Sequence, residues 1–319
     1  MLAVEEVGTE HLTGEYLAQW LRHCRGRLRS KTSEGYEGLI RLYAGPALGG
    51  IPLHRLHPLH LQECYASLIE RGLGRGTVLN LHLVLSQALS QAVRWGLIDG
   101  SPASGAQPPR PRRPEPVVVD PALAHRILAA VAGTCMELPA VLALGTGMRR
   151  GEILALRWGD LDAGFTTLQV RRSLQASGEG LHFVEPKTRR SRRAVVLPAF
   201  LRPYLVSQRQ DQQARRVAHP AWVDHDLVLD RGDGSPRHPD TLSSAWHGFL
   251  KRSGLPHVRF HDLRHGHATL LLLSRVHPKV VSERLGHASV GITLDTYSHV
   301  LPSMQSEAAA AIDALFGSP

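Results

Sequence analysis

Residues 259–300 read RFHDLRHGHATLLLLSRVHPKVVSERLGHASVGITLDTYSHV. Three features stand close together in this stretch: His261 and Arg264 in HDLRH, His287 in LGHAS, and Tyr297 in DTYSH. The first two residues are three apart. If HDLRH opens a helix, both lie on one face, since three residues make nearly one turn. An arginine, two histidines and a tyrosine form a plausible phosphate site with a nucleophile beside it. The plainer alternative makes each of them a packing residue, and that alternative is preferred for His265, His267 and His299.

The composition outside this stretch is compatible with a phosphate chemistry. A chain of 319 residues is too long for one small core and suggests two domains. Hydrophobic residues make up 43% and charged residues 20%, an ordinary balance for a folded soluble protein. No apolar run reaches about 18 residues, so no membrane span is expected. The start, MLAVEEVGTE, is acidic and lacks the basic n-region of a signal peptide. Cys24, Cys64 and Cys135 are too scattered for a disulfide framework or a CxxC metal site, which suggests an intracellular protein. The net charge is +9, which favours polyanions, nucleic acid first.

Upstream, apolar spacing predicts helices over 9–23, from a Thr32 or Ser33 cap through Tyr43, after Pro58 through Ile69, and over 77–95. The last carries Leu81, Leu85, Ala88, Ala92 and Trp95 as one stripe, closed by Gly96. The GLGRGT stretch at 72–77 is a turn and helix start, without the glycine spacing of a dinucleotide site. Residues 1–106 are therefore read as a helical domain. QPPRPRRPEP at 107–116 cannot form helix or sheet core and is an extended linker carrying Arg110, Arg112 and Arg113. It is either a passive spacer or a strap along a DNA backbone. Residues 117–319 form the second domain. Helices are expected near 121–132 and 136–146, then a short one after Arg149, with Glu152 placed to orient its guanidinium. Taken alone, Arg149 reads better as a surface arginine and Glu152 as a first-turn carboxylate. FTTLQVR at 165–171, LHFV at 181–184 and RAVVL at 193–197 predict three strands of a small antiparallel sheet. Between the last two, EPKTRRSRRA carries Lys187, Arg189 and Arg190, either solvated or inserted toward DNA. Helices follow at 197–217 and 241–252, and an alanine-rich helix closes the chain.

The motifs TGMRRGEILALRW, PKT before a strand, HDLRHGHA, LGHAS and DTYSH, in that order, resemble the tyrosine recombinase or phage-type integrase family. HxxR is a short pattern, yet among 19 histidines it occurs only at 261–264. The resemblance covers nearly the whole chain. It implies a mostly α fold with a small antiparallel sheet: a helical, SAM-like core-binding domain followed by an α+β catalytic domain. It places the first catalytic arginine on Arg149, with Glu152 supporting it, and the hairpin lysine on Lys187. The HxxR pair falls on His261 and Arg264, the later histidine on His287, and the nucleophile on Tyr297. Many members carry a further N-terminal arm-binding domain. Here the first helix begins near residue 9, so that domain is expected to be absent.

The chemistry follows from these residue types. A phosphodiester transition state spreads negative charge over its non-bridging oxygens, and two guanidinium forks supply charge-assisted hydrogen bonds to them. Arg149 and Arg264 fit that role, with His287 as a further donor. Tyr297 has a free pKa of about 10 and needs cations or a base to attack. His261 could take its proton or return it, and Lys187 would protonate the departing 5′ oxygen. The covalent link conserves the energy of the bond, so ATP is not expected, and the arginines replace a cation's charge, so a metal cofactor is not expected either. No GxxxxGK[ST] loop is present.

The resemblance further implies double-stranded DNA attachment or recombination sites as partner, a homotetramer on DNA and a monomer when free. Accessory DNA-bending or directionality proteins and a cytoplasmic, nucleoid-associated location are also implied. Competing readings are a type IB topoisomerase-like relaxing enzyme, a catalytically silent DNA-binding regulator, and a metal-dependent hydrolase using His261 and His265 at i and i+4.

Overall fold

The computed structural model describes residues 11–111, 117–185, 192–287, 289–297 and 304–316. The chain divides into two units, Met1–Glu115 and Pro116–Pro319. Among its described residues the first unit holds helices and no strand. Helix α1 (Thr13–Arg25) buries Tyr16, Leu17 and Trp20, as its spacing predicts. Helix α2 (Ser30–Leu39) begins earlier than a Thr32 or Ser33 cap allows, because the Arg29 carbonyl takes both of their amides at 2.9 and 3.0 Å. It also runs on past Tyr43 and through Pro46. A π turn, Ile40–Ala44, carries it into α3 (Gly45–Leu48). There Gly45 N–H donates to Ile40 O, five residues back, and the wider turn admits the proline ring that a regular helix would exclude. Helices α4 (Pro58–Glu70) and α5 (Arg75–Arg94) complete the unit. Leu81, Leu85, Ala88 and Ala92 of α5 are fully buried, and the Tyr16 hydroxyl donates to Ala88 O at 2.6 Å. Trp95 does not continue the stripe: it is the residue after α5, half-exposed, with its ring edge-on to Tyr16.

In the second unit, α6 (Pro121–Val131) leads to α7 (Glu137–Thr146). Every α7 residue from Leu138 to Thr146 is buried, so α7 is apolar all round and serves as the central post of the unit. The short α8 (Arg150–Leu154) follows it after one turn. Among the described residues four strands come next: β1 (Thr167–Val170), β2 (Ser173–Ser177), β3 (Gly180–Val184) and β4 (Arg193–Val196). They form two antiparallel pairs, β1 with β4 and β2 with β3, rather than one three-stranded sheet. SLQAS makes the unexpected strand. Its residues have little β preference, and it is held by pairing, with Leu174 opposite Phe183 and buried. Strand β1 starts later than Phe165 because that residue sits at φ +52°, a left-handed conformation no strand can use.

Helices α9 (Leu201–Ala218) and α10 (Pro239–Ser253) flank the core. The chain then enters α11 (Asp262–Leu273), α12 (Pro278–Leu285), α13 (Val290–Tyr297) and α14 (Met304–Phe316). Helices α6, α9 and α11 all pack against α7, so HDLRH and the turn after α7 are brought together by the post itself. No described helix is long and apolar enough to cross a membrane.

Candidate active site

The site is built on the C-terminal ends of two helices, α7 and α12. A helix end leaves carbonyls without intrahelical partners and carries partial negative charge, so it attracts cations. Both ends close on a left-handed glycine, Gly147 at φ 68° and Gly286 at φ 68°. Around α7, the His267 ring Nδ1 bonds Leu144 O at 2.6 Å, Arg284 Nη2 donates to Gly145 O at 3.1 Å, and Arg264 Nη1 donates to Gly147 O at 2.6 Å. Around α12, Arg193 Nε donates to Arg284 O at 2.7 Å and Arg264 Nη2 to Leu285 O at 2.7 Å. Arg149 Nη2 reaches Gly286 O at 3.5 Å.

Arg264 therefore straddles both helix ends and is only 3% exposed. Arg149 is the N-cap residue of α8. Its own N–H donates to Glu152 Oε2 at 2.9 Å and its Nη1 to Glu152 Oε1 at 2.8 Å. With 37% of its side chain accessible, Arg149 is anchored at one edge and open to solvent at the other. Glu152 is buried, which alone would raise its pKa. The combined pull of the Arg193 and Arg149 guanidiniums outweighs burial and holds the carboxyl below its ordinary range.

His287 follows Gly286, and its Nδ1 pairs with the hydroxyl of the buried Thr293 on α13 at 2.8 Å. Burial, then Arg264 and Arg149, push its pKa down to about 4. His261 stands at the start of α11 with one face in solvent. Exclusion of water from its other side, then His265 and Arg264, lower its pKa, so the ring is neutral at neutral pH. Its ring meets that of His265 edge-to-face at 5.1 Å. Among the described residues no three histidine, cysteine, aspartate or glutamate side chains gather as a metal site.

Arg149, Glu152, His261, Arg264 and His287 thus lie on adjoining elements, brought together from residues that the sequence separates. Tyr297 is the last residue of α13, the helix that Thr293 ties to His287. Its side chain lies outside the described residues, as do Arg112, Arg113, Lys187, Arg189 and Arg190. Arg110 is described and exposed.

Three residues of this network were not singled out by sequence. Arg193 is the last of a basic run, and nothing in RRSRR separates a buried arginine from its solvated neighbours. Arg284 resembles any surface arginine on an amphipathic helix. His267 is buried as a packing residue should be, but it also joins two helices. Its Nε2 accepts from Arg284 Nε at 3.1 Å while its Nδ1–H donates to Leu144 O. The available signal was position: His267 lies three residues after Arg264, on the same face of α11.

Residues 122–304 match the phage integrase family, and residues 14–69 match the phage integrase N-terminal SAM-like domain. The chain belongs to the phage integrase family, and by that membership it is an enzyme of the tyrosine recombinase class. It is similar to a tyrosine recombinase XerC-like protein of Caldanaerobacter subterraneus subsp. tengcongensis, 28% identical over 324 residues, with 95% of this chain and 83% of the relative covered. It is also similar to an integrase of Saccharopolyspora erythraea, 26% identical over 358 residues, with 93% and 82% covered. Among solved structures it shares the fold of the Tn1549 transposon integrase in complex with transposon right end DNA. The TM-score there is 0.79 at 22% identity, with 96% of this chain and 100% of that chain covered. A lambda integrase tetramer bound to a Holliday junction also shares the fold, with TM-score 0.66 at 17% identity and 89% and 77% covered.

Proposed function

We propose that this enzyme is a site-specific DNA recombinase that cleaves and rejoins DNA through a 3′-phosphotyrosine intermediate. The observation that carries this reading is the convergence of Arg149, Arg264 and His287 on the paired ends of α7 and α12. Two fixed guanidiniums beside a histidine form a preorganised field for a phosphoryl transition state. In this reading Tyr297 Oη attacks the scissile phosphorus, the bond to the 5′ oxygen breaks, and Lys187 protonates that oxygen. His261, neutral at working pH, accepts the phenol proton. Rejoining reverses each transfer, so the cycle consumes neither ATP nor a metal ion.

Residues 1–106 are assigned to core-site DNA binding and residues 117–319 to catalysis. The Pro/Arg linker 107–116 lies along the DNA backbone through Arg110, Arg112 and Arg113, and Arg189 and Arg190 contact DNA from the hairpin that holds Lys187. The working assembly is a homotetramer on two duplexes, monomeric when free, with accessory DNA-bending or directionality proteins, acting at the bacterial nucleoid.

The test uses the whole chain, in the presence of a strong chelator, on nicked duplexes tiled across the DNA flanking its coding sequence. The wild type is expected to form a denaturation-resistant protein–DNA adduct on one tile, and Tyr297→Phe to form none. An adduct undiminished in Tyr297→Phe would sink the nucleophile assignment. Strand exchange between two such sites, as opposed to relaxation of one supercoiled circle, separates recombinase from topoisomerase.

A further inference from the structure

We infer that Arg193 is a positioning residue for the phosphate site: it holds Arg149 at the solvent edge through their shared carboxylate, Glu152, and through the end of α12. For its consequences in catalysis this rests on the recombinase reading above. Arg193 opens β4, and its side chain is 6% exposed. It forks onto Glu152, Nη2 to Oε2 at 2.9 Å and Nη1 to Oε1 at 3.3 Å. Arg149 bonds the same two oxygens from the other side, through its Nη1 and its backbone N–H. Each carboxylate oxygen thus takes one bond from each arginine.

The division matters because Glu152 is buried and charged. A buried carboxylate with one partner draws that partner inward, since an uncompensated buried charge is costly. Arg193 supplies compensation from the interior, which leaves Arg149 free to stay where a phosphate can reach it. Arg193 also fixes the second support. Its Nε holds the Arg284 carbonyl at the end of α12, two residues before the Gly286 carbonyl that receives Arg149 Nη2. Lysine can supply the charge but not the planar fork that meets two oxygens and a carbonyl at once.

The experiment compares full-length wild type, Arg193→Lys, Arg193→Gln and Arg149→Ala. Thermal unfolding checks that each is folded, and Arg193→Lys retains the buried charge if Arg193→Gln does not fold. Single-turnover adduct formation is followed on the nicked duplex that wild type labels. One substrate carries the ordinary scissile phosphodiester, the other a methylphosphonate with no charge for an arginine to neutralise. Arg193→Lys is expected to slow the phosphodiester reaction roughly 100-fold, the scale of an ångström-level misplacement, with DNA affinity unchanged. On the methylphosphonate that ratio should shrink in parallel with the ratio for Arg149→Ala. A ratio equal on both substrates, or a wild-type rate in Arg193→Lys, overturns the inference.

If Arg149→Ala labels DNA as fast as wild type, it is the catalytic reading that fails. Arg193 is then judged in the free protein by guanidinium NMR, with the Arg149 signals assigned by their loss in Arg149→Ala. Restricted Arg149 signals in wild type that average out in Arg193→Lys support positioning. Signals unchanged by the substitution overturn it.

Discussion

His267 shows how much one buried side chain can decide. Its ring bridges α11 to both helix ends, donating to Leu144 O and accepting from Arg284 Nε. These two bonds settle the tautomer, since Nε2 can accept only if it carries no proton. Replacing His267 with phenylalanine keeps the bulk but leaves a buried carbonyl and a half-buried guanidinium N–H without their partner. The buried carbonyl costs about 1–3 kcal/mol and the half-buried N–H adds about 1, so His267→Phe should lower the unfolding free energy by about 2–4 kcal/mol. His267→Gln, which can still donate and accept, should lose clearly less. Urea denaturation of the three proteins measures this, and equal losses for the two variants would show that shape, not hydrogen bonding, is what the site needs.

At the scale of elements, the turn between α7 and α8 is where the geometry is tightest. Gly147 has φ 68°, and a Cβ there would lie 2.6 Å from His267 Cδ2 and 2.7 Å from Leu285 Cδ2. Gly254 after α10 has φ 64° with nothing within 4 Å of a Cβ. The left-handed conformation costs a non-glycine residue about 1–2 kcal/mol at either position. Only Gly147→Ala adds overpacking, about 1–3 kcal/mol more. Gly147→Ala should therefore be the more destabilising by that margin, and it should also displace the Gly147 carbonyl that Arg264 holds. A melting comparison that finds the two variants alike would remove the packing argument. This turn also shows what the sequence reveals. The helices around it were legible from spacing, the stop from TG, and Arg149, Glu152, His261, Arg264 and His287 from motif order. The β2 strand was not, because SLQAS is a strand only through its partner LHFV. Nor was Arg193, because burial of one arginine in a basic run is decided by what α8 and α12 place opposite it. Local pattern records what a residue prefers, whereas Glu152, 41 residues upstream of Arg193, records what it meets.

For the molecule as a whole, His267 and the less buried His261, His265 and His287 should appear as acid sensitivity of the second unit. Burial pushes His267 down to about 4, and burial likewise lowers His261, His265 and His287. An unfolded histidine titrates near 6.5, so below that pH the unfolded chain binds protons that the folded one refuses. Stability is then complete above about pH 6.5 and is lost as pH falls toward about 4. For His267, which is 4% exposed, the shift corresponds to about 3 kcal/mol when the window has been crossed. Glu152 acts lower down: its folded pKa is depressed, so its contribution is lost only as pH falls below the ordinary carboxylate value of about 4.3. The two causes therefore separate by pH. In the first unit burial lowers His82, whose ring pairs with the Tyr65 hydroxyl at 3.0 Å, so among the described residues one such group stands against four in the second. Hydrogen-exchange protection, corrected for the intrinsic pH dependence of exchange, should fall between pH 6.5 and 4.5 in α7, α11 and α12 well before it falls in α5. His267→Gln should flatten the decline in α7. Protection that falls equally in α5 and α7, or only below the carboxylate range, would mean that these histidines do not carry the acid response.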